Sequence, residues 1–228
     1  MQFAEYKNFG KCVRFERGGI ICLVTLEIGP RIIYYGTENL NFMNEDIGRN
    51  VQKDGEFFDK TYKAGEKWFL YGGHRVWKSP EDMETYVPDN YPVEYSLNQS
   101  GGEFYTQTTP FGLKFGFELI MDEGGALEIK NRIKNFGQPR QLAVWALTVV
   151  AKGGVLTVPL NQAESDLLPS QNFVLWPYCG FADERLSVAK GVMSLKQADG
   201  GAFKIGLFLK DNMASYELNG KKLRVCYQ

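Results

Sequence analysis

Histidine is all but missing from these 228 residues: His74 is the only one. Cysteine is scarce as well, and Cys12, Cys22, Cys179 and Cys226 show no C-x-x-C spacing. One histidine and four scattered cysteines show no zinc pattern. Free thiols in a reducing compartment are the expected state. There is no GxxxxGK[ST] phosphate loop and no GxGxxG after a strand, so nothing points to a nucleotide, and no metal or cofactor is expected. A single histidine also leaves no basis for assigning a Ser-His-Asp set. Charge of either sign is not in excess. Lys+Arg 26 against Asp+Glu 27 gives a net charge of −1, which excludes the basic surplus that nucleic acid or an anionic membrane surface calls for. The longest apolar run, residues 142–151, is broken by Thr148 and falls well short of the ~20 residues that span a bilayer. Residues 1–7 contain no apolar signal core. The expected location is the cytoplasm. No segment carries a helical apolar stripe sustained beyond two turns, and there is no repeat, low-complexity tract or linker.

What the chain does have is apolar and aromatic material, 44% and 14% respectively, enough for a sizeable core without disulfides or a structural metal. Its apolar residues recur with period two. Leu113, Phe115, Phe117, Leu119 and Met121 alternate with Lys114, Gly116 and Glu118. After Gly124-Gly125, Leu127, Ile129 and Ile133 alternate with Glu128, Lys130, Arg132 and Lys134. That is an antiparallel hairpin with one wet face. Further hairpins are expected at Gly18-Gly19, at Asp199-Gly200-Gly201 between residues 192–196 and 203–209, and at Asn219-Gly220 between residues 214–218 and 222–225. Gly29-Pro30 breaks one strand before another resumes at Arg31, and residues 45–66 read as a loop with one short helical turn. Residues 142–150 are apolar on both faces and are expected to form a strand buried between layers. Replacing Trp145 in it by Ala is then expected to cost ~3–5 kcal/mol. The whole reads as one all-β domain, residues 1–228, a large sandwich or a barrel.

One stretch, residues 71–92, concentrates the chemistry: YGGHRVWKSPEDMETYVPDNYP. Pro80, Pro88 and Pro92 disfavour a long helix. The composition reads as an ordered loop rich in donors, acceptors and rings, either a site held on a scaffold or an irregular crossover whose path the prolines set.

Three pieces together resemble the galactose mutarotase-like superfamily. Residues 26–33, Leu-Glu-Ile-Gly-Pro-Arg-Ile-Ile, are similar to the early strand of aldose 1-epimerases. Gly72-Gly73-His74-Arg75-Val76-Trp77 followed by Pro80-Glu81 looks most like an uncharacterised bacterial branch that includes the DUF4380-type domains. Residues 203–207 followed by Ala214-Ser215-Tyr216 form the third piece, with a weaker echo at Asn135-Phe136-Gly137. The resemblance implies a β-supersandwich, two large antiparallel sheets face to face, with a sugar-sized groove on the concave face. It implies His74 as the candidate acid or a ligand to a sugar hydroxyl, and Arg75 as a forked contact to a substrate oxygen. Mutarotation needs an acid and a base with separated pKa values. Residues 145–148 lack the family's second histidine, and no residue matches its C-terminal glutamate.

The candidate site residues each have a plainer alternative. His74 either serves the ligand or locks its own segment. Arg75 and Glu81 either touch substrate or pair with each other. Asp82 is a further carboxylate of the stretch. Trp176, before Pro177-Tyr178, is a candidate stacking platform. Asp183 belongs to a compact carboxylate pair or a solvated turn, and Lys204 interrupts an apolar strand. The expected function is a carbohydrate-binding domain with little or no catalysis. The alternatives are an aldose 1-epimerase-like isomerase and an interaction domain with a vestigial groove. The expected partner is a carbohydrate or sugar derivative. Self-association is expected through the strand edge at residues 222–225, unless the N-terminal residues cover it.

Overall fold

The computed structural model describes residues 1–161, 167, 172–209 and 211–227. It divides into two compact units, Met1–Val150 and Ala151–Gln228. In chain order the first unit contributes β1 (Gln2–Glu5), β2 (Lys11–Arg17), β3 (Ile20–Thr25), β4 (Ile32–Thr37), β5 (Leu40–Asn41), β6 (Val51–Lys53), β7 (Trp68–Phe69), β8 (Gly73–Ser79), β9 (Glu94–Leu97), β10 (Gly101–Tyr105), β11 (Leu113–Met121), β12 (Leu127–Asn135) and β13 (Ala143–Val149). The second contributes β14 (Val155–Pro159), β15 (Phe173–Leu175), β16 (Leu186–Ala189), β17 (Val192–Lys196), β18 (Ile205–Leu207), β19 (Met213–Leu218) and β20 (Lys221–Cys226). The only α-helix among the described residues is one turn, Glu56–Asp59. No helix among them is long and apolar enough to cross a membrane. The molecule is all-β, its strand pairs antiparallel throughout.

In the first unit a seven-stranded sheet runs β1-β2-β3-β4-β8-β13, with β5 added to β4, and a four-stranded sheet runs β12-β11-β10-β9. Their facing side chains make one core. Val13, Phe15, Cys22, Val24 and Val76 from the larger sheet belong to the same buried cluster as Phe104, Leu113, Phe117, Leu119 and Met121 from the smaller. This is a sandwich, and the period-two pattern dictates it. Every second residue of β11 from Leu113 to Met121 is buried, while β12 alternates half-buried positions (Leu127, Ile129, Asn131 and Ile133) with exposed charges. The larger sheet is covered on its other face too, where its Ile21, Leu23 and Ile33 pack in a second cluster with Phe9, Ile28 and Tyr71. That is why β3 is apolar at nearly every position rather than at alternate ones.

The glycine-bearing turns of β2–β3, β11–β12 and β19–β20 form as the pattern implies. The last has Asn219 and Gly220 both at positive φ, 50° and 71°. Three expectations need correction. Residues 71–92 are not a loop throughout. Gly73–Ser79 is strand β8, inside the larger sheet between β4 and β13, because a strand with covers on both faces accepts large side chains at every position. Residues 142–150 are not buried between layers. β13 is the edge of its sheet, paired with β8, and its residues are exposed or partly exposed. Residues 192–196 and 203–209 do not form a hairpin. β17 pairs with β14 and β16, while β18 pairs with β15. A Gly-rich turn permits a reversal, but the ladder partner decides which strands join.

The second unit carries a five-stranded sheet, β16-β17-β14-β19-β20, and the two-stranded β15-β18 ladder.

Candidate functional site

Strand β8 places its side chains alternately, and this separates the two residues that the sequence sets side by side. Ile32 stands opposite His74 in the ladder and belongs to the sandwich core, so His74 points between the sheets and Arg75 points the other way. The His74 ring is 7% exposed and packs edge-on against Phe117. Its Nε2 lies 2.9 Å from Asn131 Oδ1 on β12, and its Nδ1 2.8 Å from Thr148 Oγ1 on β13. An amide oxygen only accepts, so Nε2–H donates and Nδ1 accepts from the threonine hydroxyl. Burial pushes the His74 pKa down, opposed in part by the bond to Asn131. The ring is therefore a neutral connector between strands of the two sheets, with both nitrogens engaged.

On the opposite face Arg75 is 4% exposed. Its guanidinium carbon lies 4.7 Å from the Trp68 ring and 4.2 Å from the Trp77 ring, against two rings that also touch each other, 5.6 Å apart. Burial, and after it the charge of Arg31, hold the Arg75 pKa well below the ordinary arginine value, with Asp89 and Tyr86 acting in the other direction. Arg31 is 0% exposed. It donates through Nη2 to Asp89 Oδ2 at 2.6 Å and through Nη1 to the Gly72 carbonyl at 3.2 Å, and lies over the Tyr71 ring. Asp89 is fixed in turn by its carbonyl, which accepts from the Gly29 N–H at 2.8 Å. Next to it Asn90 accepts from the Tyr71 hydroxyl and donates to the Lys67 carbonyl. Buried ions need partners, yet Arg31 Nε, Arg75 Nη2, Trp68 Nε1 and Asp89 Oδ1 have no hydrogen-bond partner among the described residues. Around them stand the rings of Trp77, Tyr86 and Trp145, all partly exposed. Trp77 lies 5.4 Å from Tyr86 and 5.7 Å from Trp145, centroid to centroid.

The other carboxylates of the stretch serve the loop. Arg75 does not pair with Glu81, which accepts from the Tyr86 hydroxyl. Asp82 accepts from Lys78 at 2.5 Å. Burial raises its pKa, but Lys78 and the backbone N–H groups of Glu84 and Thr85 outweigh that and hold it low. Glu84 accepts from Arg140.

Trp176, Asp183 and Lys204 belong to the second unit. Lys204 Nζ lies 4.5 Å from the Trp176 ring. Asp183 is engaged in a forked pair with Arg185, 2.9 and 2.7 Å, and that guanidinium together with its backbone N–H holds the carboxyl down at about 2. The sequence-level candidates thus fall into two groups in two units.

Arg31, Trp68 and Asp89 carry the site beside Arg75, and composition alone does not single them out. One signal was present: Arg31 is the lone cation in the run Ile28–Ile33, and a charge in an apolar strand must find a buried partner. No protein-family model, curated protein or solved structure matches the chain at a significant level.

Proposed function

We propose that this chain is a carbohydrate-binding domain of the galactose mutarotase-like kind, with little or no catalysis. The observation that carries the reading is the set of partly exposed rings, Trp77, Tyr86 and Trp145, next to the buried Arg75 on one face of the larger sheet. Aromatic walls with a few fixed polar groups suit a ligand whose apolar C–H face stacks while its oxygens take hydrogen bonds. Binding is favoured over isomerisation by the state of His74. General acid catalysis needs a proton donor within reach of the substrate, and both nitrogens of this ring are bonded to Thr148 and Asn131. The nearby carboxylates are held as well, Asp89 by Arg31, Asp82 by Lys78 and Glu81 by Tyr86.

Tryptophan fluorescence and isothermal titration with a panel of neutral and acidic monosaccharides test the binding. Saturable binding to the wild type, weakened in Trp145→Ala, is expected. A panel with no binder overturns the reading. Polarimetry on fresh α-glucose and α-galactose tests the chemistry. The expected rate is that of buffer, and a large protein-dependent rate lost in His74→Ala would move the reading to an isomerase.

A further inference from the structure

We propose that the ligand carries a carboxylate, bound at the guanidinium of Arg75 with Arg31 and Trp68 beside it. This rests on the carbohydrate-binding reading and narrows it to a sugar acid. The argument begins with charge. Arg31 and Arg75 are 0% and 4% exposed, and the anion paired in this cluster is Asp89, bonded to Arg31. Two buried cations against one carboxylate leave a net charge of +1 in a place where an uncompensated ion is costly. A carboxylate brings that sum to zero. A phosphate dianion would carry it past zero to −1, beside Asp89.

The unsatisfied atoms have the complementary chemistry. Arg31 Nε, Arg75 Nη2 and Trp68 Nε1 are donors, and Asp89 Oδ1 is an acceptor. A carboxylate only accepts, so it takes the donors, while a hydroxyl on a neighbouring carbon donates to Asp89 Oδ1. A sugar acid presents such a carboxylate and hydroxyl together. The planar, forked guanidinium recognises a carboxylate through parallel N–H···O bonds, and the Trp68 and Trp77 faces hold Arg75 in position.

The test uses the full wild-type chain and titrates glucuronate and galacturonate against glucose, galactose, glucuronate methyl ester, glucose 6-phosphate and acetate. The uronates are expected to bind at least about tenfold more tightly than the neutral sugars and the methyl ester, the increment of a charge-assisted hydrogen bond. Arg75→Gln, checked by circular dichroism, is expected to abolish that preference. If the variant does not fold, the acid against its methyl ester on the wild type decides alone. Equal binding of acid, ester and parent sugar overturns the carboxylate site and leaves the carbohydrate reading standing. Tighter binding of glucose 6-phosphate than of either uronate overturns it as well. Acetate binding as tightly as the uronates keeps the carboxylate site and overturns the carbohydrate reading, and no binding by any of the set overturns both.

Discussion

Arg31 has no exposed surface and its main partner is Asp89, 2.6 Å away. Removing one member of a buried pair leaves the other charged and unpaired, which costs about 3–5 kcal/mol. Arg31→Met is therefore expected to lose that much in urea unfolding, and Arg31→Met/Asp89→Asn less than the sum of the single changes. Simple additivity would mean the pair is not coupled. His74 sets a pH dependence. Its folded pKa lies below the ordinary 6.5 because it is buried, so the unfolded chain takes up a proton first as pH falls. The stability associated with the neutral ring is fully present above about pH 6.5 and is lost as pH drops through that value towards the lower folded pKa. The advantage of wild type over His74→Gln should shrink between about pH 7.5 and 5.5. A difference constant with pH would show that the ring is not buried neutral. His74 as a lone histidine was visible in the sequence. Its partners Asn131 and Thr148 were not, because they lie 57 and 74 residues away, Thr148 brought in by the β8–β13 ladder and Asn131 by the packing of the second sheet.

At the scale of the element, β8 is entered through Gly72 and begins on Gly73, with φ of 97° and 70°, where no residue with a Cβ sits without strain. A Cβ on Gly73 would stand 2.4 Å from the Ile32 carbonyl oxygen, which is rigid backbone. Gly73→Ala is expected to destabilise by on the order of 2–3 kcal/mol. It should also disturb Arg75 two residues on, so a thermal melt and uronate titration should both change. An unaltered melt would mean the strand start can shift freely. Strand β20 is an edge, hydrogen-bonded to β19, with Val225 37% and Tyr227 49% exposed. Lys221, Lys222 and Arg224 oppose strand addition through charge, yet an edge with free backbone groups is a template for pairing. We propose that it is the surface of self-association. Analytical ultracentrifugation should show concentration-dependent assembly that Val225→Lys weakens, and a strict monomer at high micromolar concentration would dismiss it.

For the whole molecule, the two compact units are expected to be separable. The sandwich cores around Phe117, around Ile33 and around Trp68 are built wholly from residues of Met1–Val150. A fragment of residues 1–150 should fold alone, with a β-type circular dichroism spectrum and one cooperative urea transition. A fragment without cooperative unfolding would show that this core depends on residues 151–228.

What the sequence by itself determined is the local grammar. Period-two alternation at Leu113–Met121 specified strands, a wet face and the hairpin with β12, because side-chain direction alternates with every residue wherever the strand lies. Asn219-Gly220 specified a tight reversal, because few residues accept positive φ. Tertiary structure alone decided the rest. It turned the polar run after Gly72 into an inner strand, left residues 142–150 on an edge and denied the hairpin at Gly200-Gly201, since ladder partners are chosen by long-range packing. It also gathered Arg31, Trp68, Arg75 and Asp89, spread over 58 residues, into one buried cluster. A charge can remain inside an apolar strand only where distant segments close around it, and no local pattern encodes where they meet.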